Sequence, residues 1–118
     1  MFVTVGDIDG DGYAEVIAGG GPGGGPRVTA FSGKALLSNQ YDVRANFFGG
    51  DPNNRGGVRV AVKDLDGDAK ADLVVGSGTG AGSRVTGYHG KDIGPSGTPP
   101  AAADFDAFPG FAGGVFVG

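Results

Sequence analysis

With 118 residues, 39% of them hydrophobic, the chain is long enough for one folded domain, and its net charge of −4 argues against the basic surface that nucleic acid requires. It has no cysteine, which excludes disulfides and thiolate metal sites, while its 27 glycines are roughly three times the usual share. No apolar stretch is long enough to span a bilayer and no basic-then-apolar leader is present, so neither a membrane partner nor a secretion signal is expected.

Apolar residues never recur at helical spacing over a dozen positions, whereas β-branched runs bounded by glycine do recur, so the expected fold is all-β with almost no helix. The first strand is expected at 2–6 and runs into an acidic segment, 7–15. Strands follow at 15–18, 27–31 and 43–48, with a glycine- and proline-rich turn across 19–26. The order then restarts: a strand at 58–63, a second acidic segment at 64–72, and strands at 72–75, 84–88 and 102–108, with another glycine-rich turn across 76–83.

This restart is a true repeat. Displacing the sequence by 57 positions puts Asp7-Ile8-Asp9-Gly10-Asp11 on Asp64-Leu65-Asp66-Gly67-Asp68, Arg27-Val28-Thr29 on Arg84-Val85-Thr86, and Gly56-Gly57-Val58 on Gly113-Gly114-Val115. Four antiparallel strands per repeat is the count of a propeller blade. The chain is therefore expected to hold one blade at 1–57, a second at 58–114 and the start of a third repeat at 115–118. Two blades leave sheet faces open, so a β-propeller is expected to be completed either by the rest of a larger protein or by homo-oligomerisation. A trimer would give a six-bladed ring and a tetramer an eight-bladed one.

Eight of the thirteen acids lie in the two acidic segments, at positions 1, 3, 5 and 9 of each: Asp7, Asp9, Asp11 and Glu15, then Asp64, Asp66, Asp68 and Asp72. Carboxylates at alternate positions of a curled loop converge on one centre, and calcium takes six to eight oxygen ligands. By analogy with the EF-hand, the position-7 residues, Tyr13 and Lys70, would each add a backbone carbonyl. Magnesium suits the pattern less, because it demands octahedral geometry and keeps waters. An EF-hand itself is excluded, since its position 12 falls on Ala18 and Val75, both in expected strands, where a glutamate is required. Two bound Ca2+ ions would cancel the net charge of −4. The competing reading is a pair of solvated Asp-Gly turns without metal, in which the carboxylates repel one another. At position 6 the first loop has Gly12 and the second Ala69, so the second site is expected to bind somewhat more weakly.

The run Gly56-Gly57-Val58-Arg59-Val60-Ala61-Val62-Lys63-Asp64-Leu65-Asp66-Gly67-Asp68, followed by Asp72-Leu73-Val74-Val75-Gly76, resembles the FG-GAP repeats, also called VCBS or integrin-α-like repeats. The resemblance implies a calcium-binding loop between the first and second strands of each blade. It also implies an extracellular or cell-surface parent protein. Ala69 and the loosely kept Phe-Gly pair depart from the family pattern.

Other residues attract blander readings. Gly76-Ser77-Gly78-Thr79-Gly80-Ala81-Gly82 looks like a phosphate loop but lies between strands with no helix after it, so a hairpin turn is expected. His89, the single histidine, is expected to be an exposed side chain. Phe47, Phe48, Phe105, Phe108, Phe111 and Phe116 are expected to pack between blades, with stacking on a glycan as the alternative. Arg27 and Arg84 are expected to make a structural hydrogen bond or an ion pair between blades. The functional expectation is a non-enzymatic, calcium-binding, self-assembling propeller module. The alternatives are a carbohydrate-binding lectin or adhesion module, and a non-catalytic piece of a larger secreted enzyme.

Overall fold

Period-two alternation of more and less buried side chains runs through the first four strands and sets which side of their sheet turns inward. The computed structural model describes residues 2–21, 23, 25–50, 53, 55–64, 67, 70–78, 84–94, 97–106, 114 and 117. Its elements in chain order are β1 (Phe2–Gly6), β2 (Glu15–Gly19), β3 (Arg27–Ser32), α1 (Gly33–Leu37), β4 (Val43–Phe48), β5 (Val58–Lys63), β6 (Asp72–Ser77), β7 (Arg84–Tyr88) and β8 (Ala103–Asp106), with one turn of 3-10 helix at Gly90–Asp92. The strands form two four-stranded antiparallel meanders, β1-β2-β3-β4 and β5-β6-β7-β8. This is the all-β architecture of two propeller blades.

In the first sheet Thr4 pairs with Ile17, Ile17 with Ala30, and Ala30 with Ala45, so these four share one side. Ile17, Ala30 and Ala45 are fully buried there. In the second sheet Val60 pairs with Val75, and Val62 with Leu73, which pairs with Tyr88. These two sides face each other and make one core, with Val28, Phe47 and Val58 completing it. Gly6 on β1 lies against Val62 on β5, so closely that a Cβ there would sit 2.7 Å from Val62 Cγ2. Phe47 meets Tyr88 edge to face across the two sheets, with centroids 5.1 Å apart, and the Tyr88 hydroxyl accepts the Gly50 N–H at 3.0 Å. Burial in this core pushes the Tyr88 phenol up from its ordinary value. Each fully buried Ile or Leu here stabilises the fold by about 1.5 to 3 kcal/mol, which makes the sheet-to-sheet contact the main support of both blades.

Among the described residues α-helix is confined to α1, a single turn and a half, in line with the expectation of almost none; the Ser32 hydroxyl caps it by accepting from Ala35 N–H at 3.2 Å. The structure corrects the sequence reading of the strands and aromatic residues in three places. β6 continues through Gly76 and Ser77, which pair with Arg59 and Val58, so two residues expected in a turn are strand. The last strand of the second blade is displaced by one residue from the constant offset: Phe47 lies opposite Val28, but Phe105 rather than Asp104 lies opposite Val85. Of the aromatic cluster, Phe47 is core, whereas Phe48 and Phe105 are 41% and 55% exposed. Phe108, Phe111 and Phe116 lie outside the described residues, as do Thr79, Gly80, Ala81 and Gly82 of the expected turn.

Candidate functional site

The loop between β1 and β2 curls because its own carboxylates collect its backbone N–H groups. Asp7 Oδ1 accepts from Gly10 N–H at 2.8 Å and from Asp11 N–H at 3.1 Å, and Asp7 Oδ2 accepts from Gly12 N–H at 2.9 Å. Asp9 Oδ1 accepts from Asp11 N–H at 3.1 Å, and Asp11 Oδ1 from Tyr13 N–H at 2.8 Å. The curl requires left-handed backbone at Gly10 and Gly12, with φ of 76° and 87°. Only glycine adopts these angles without steric cost.

The result brings four of the expected ligands together. One oxygen from each of Asp7, Asp9, Asp11 and Glu15 lies within 4.8 Å of every other. Two oxygens that each contact a hard cation at about 2.3 to 2.6 Å are at most about 5 Å apart, so the cluster has the right span for one ion. Glu15 supplies a second, independent sign. It is fully buried, its Oε2 accepts the Ile8 N–H at 2.7 Å, and its Oε1 is buried with no hydrogen-bond partner. A buried carboxylate oxygen without a partner is costly.

Electrostatics in the loop follow from burial and like charge. The Glu15 carboxyl is pushed up to about 7, first by burial and then by the nearby Asp9, Asp11 and Asp7, against the stabilising Ile8 N–H. Asp9 is also raised, chiefly by burial, with the neighbouring Asp11 adding to the effect and Arg44 opposing it. Arg44 on β4 was not foreseen as part of the site. Its guanidinium lies 3.6 Å from Asp9 Oδ2 and 3.2 Å from Asp42 Oδ2, and so partly balances the loop from outside. No local motif marks it, because it reaches the loop from a strand 35 positions further along.

The second loop is described in part. Asp66, Asp68 and Ala69 lie outside the described residues. Asp64 Oδ1 accepts the Gly67 N–H at 2.7 Å, reproducing the Asp7 contact with Gly10. Asp72 is fully buried like its counterpart Glu15, and its Oδ1 accepts the Gly90 N–H at 2.7 Å. His89 is 3.7 Å from Asp72 Oδ2 and its side chain is only 27% exposed, so it belongs to the wall of this loop, contrary to the exposed side chain expected.

The two loops touch. The Ala71 N–H donates to the Asp7 carbonyl at 2.8 Å, and the Lys70 methylenes lie over Gly10, 3.1 Å from where its Cβ would be. Lys70 thus packs on the neighbouring loop. Tyr13 is exposed and carries the Lys34 ammonium over its ring at 5.5 Å. Of the two equivalent arginines, Arg84 holds Asp104 with two bonds of 2.7 and 2.6 Å and lowers its carboxyl below the ordinary value. That pair lies within one blade, between β7 and β8. Arg27 instead lies over the Phe48 ring at 5.6 Å.

Among the described residues no helix is long and apolar enough to cross a membrane. No curated protein matches the chain, and no solved structure does. The family model described as FG-GAP repeat covers residues 1–37, which take in β1, the acidic loop, β2, β3 and α1. Residues 1–37 are therefore consistent with an FG-GAP-type repeat.

Proposed function

We propose that this chain is a non-enzymatic, calcium-binding β-propeller module, in which a metal-dependent loop braces the start of each blade. The observation that carries the reading is the convergence of Asp7, Asp9, Asp11 and Glu15 within 4.8 Å, with a buried Glu15 oxygen left without a hydrogen-bond partner. These four would hold the ion in the first loop, with the Tyr13 carbonyl as a further donor. Asp64, Asp66, Asp68 and Asp72, with the Lys70 carbonyl, would do so in the second, giving about two Ca2+ per chain.

A bound cation supplies positive charge that offsets the carboxylate repulsion. The protein's part is mechanical: Asp7 and Asp11 fix the curl through backbone N–H groups, Glu15 anchors the loop to β2, and the Ala71 N–H ties the first loop to the second. Cations that bind only the folded state raise its stability by RT ln(1 + [L]/Kd). The family's usual setting favours an extracellular or cell-surface parent protein, where millimolar calcium is available to such sites.

Thermal unfolding in excess calcium and in chelator tests this. The midpoint is expected to rise by several degrees with calcium and to follow its concentration, and superimposable curves would refute the reading. Titration with magnesium is expected to give a smaller rise at equal concentration.

A further inference from the structure

Residues equivalent by the 57-residue repeat are buried in one blade and open in the other. On the second sheet the side that meets the first carries Val60, Leu73 and Tyr88, only 8%, 0% and 3% exposed. Their counterparts on the first sheet are Val3, Val16 and Phe31, of which Val16 and Phe31 are half-buried. Val3 is 59% exposed, and Val5, the counterpart of Val62, is 57% exposed on the same side. The first sheet therefore presents a layer built like the covered side of the second, with no blade against it among the described residues.

The other half of the same contact stands open at the opposite end. Ile17, Val28 and Phe47 form the buried layer of the first sheet, and their places on the second sheet are taken by Val74, Val85 and Phe105. Val74 and Val85 are half-buried and Phe105 is 55% exposed. Arg59, on the same side of the second sheet as Val85, has its guanidinium over the Phe2 ring at 5.5 Å, which draws the charge towards the contact already made. One end of the chain thus offers a donor layer and the other end its acceptor, and the contact between the chain's own two sheets is the template for joining them.

We propose that the partner for both surfaces is a second copy of this chain, docked head to tail. The first sheet of one copy covers Val74, Val85 and Phe105 on the second sheet of the next. This inference rests on reading the sheets as propeller blades, but not on calcium. The loop contact within the chain has a counterpart in the assembly, because Ala14 occupies the place of Ala71 and Asp64 that of Asp7. The Ala14 N–H of one copy would donate to the Asp64 carbonyl of another, so each acidic loop would be braced by the following blade. Two different surfaces meet in this contact, so the assembly is heterologous and stops growing only by closing into a ring. With two blades per copy, closure gives an even number, and two, three or four copies fall within the usual four to eight blades.

Sedimentation equilibrium of the full chain in calcium tests the proposal, with two blocked variants. Val3→Glu/Val5→Glu closes the first surface and Phe105→Glu the second, and all three positions are exposed in the isolated chain, so each variant is expected to keep the wild-type far-UV circular dichroism. The wild type is expected to sediment at two, three or four times the chain mass, and each variant alone at the mass of one chain. Mixed in equal amounts, the variants are expected to form a one-to-one pair and nothing larger, because each retains the surface the other lacks. A wild type that stays at the mass of one chain, or either variant pairing with itself, would overturn the proposal. Calcium titration of the same samples separates the two claims: a single-chain species that binds calcium sinks the assembly alone, and a ring indifferent to calcium sinks the metal reading alone.

Discussion

Replacing Glu15 with glutamine is expected to move stability in opposite directions with and without calcium. Glutamine keeps an oxygen for the Ile8 N–H, which Glu15 Oε2 accepts at 2.7 Å, and removes the charge. In the metal-free protein the Glu15 carboxyl is raised from 4.5 to about 7, so between these values the folded state binds more protons than the unfolded state. Stability of the metal-free fold is therefore expected to fall as pH rises through that window, with the loss complete above about pH 7. At 1.36 kcal/mol per unit, the shift from 4.5 to about 7 corresponds to a loss of up to about 3 kcal/mol. Glu15→Gln abolishes this loss, and for a chain of this size the midpoint in chelator at pH 8 is expected to rise by about 10 °C. In excess calcium the variant lacks a charged ligand, so the calcium-induced rise is expected to shrink to a fraction of the wild-type value. The assay is thermal unfolding by circular dichroism, run from pH 4.5 to pH 8 in chelator and again in calcium. A variant no more stable than wild type in chelator at pH 8 would refute the buried-charge reasoning, and an undiminished calcium response would refute the ligand role.

Three further substitutions probe separate supports. Gly12 in the first loop has φ of 87°, and its counterpart in the second is Ala69, so Ala69→Gly is expected to tighten the second site by about 1 kcal/mol, roughly fivefold, in calorimetric titration. An unchanged or weakened site would count against a shared loop geometry. Tyr88→Phe leaves the Gly50 N–H without its acceptor and is expected to cost about 0.5 to 1.5 kcal/mol in urea unfolding at unchanged slope. Gly33→Ala drives a Cβ into the Ala14 carbonyl beside the acidic loop, and is expected to cost about 1 to 3 kcal/mol and to weaken calcium binding. A neutral result would mean that the loop can shift away from α1 freely.

Much of this arrangement is legible in the residues, because the signals are local. The curl at 7–15 is written in aspartates that bind N–H groups two to five positions ahead and in glycines that permit positive φ, and each strand from β1 to β7 starts at the residue expected for it. What escapes the sequence depends on contacts made at a distance. Gly76 and Ser77 carry turn propensity, yet pairing with Arg59 and Val58 keeps them in β6. α1 is too short to show a helical period, and its start is fixed by the Ser32 hydroxyl. Arg44 reaches Asp9 only because β4 returns to the loop end of the sheet, and the one-residue displacement of β8 shows only in its pairing with β7.

The most direct measurement is a crystal structure grown in excess calcium, with anomalous scattering used to locate the ions. An anomalous peak between β1 and β2, with oxygens of Asp7, Asp9, Asp11 and Glu15 at about 2.3 to 2.6 Å from it, is the expected result. A well-ordered loop with no peak, its aspartates turned to solvent and Glu15 Oε1 hydrogen-bonded to a water, would contradict it.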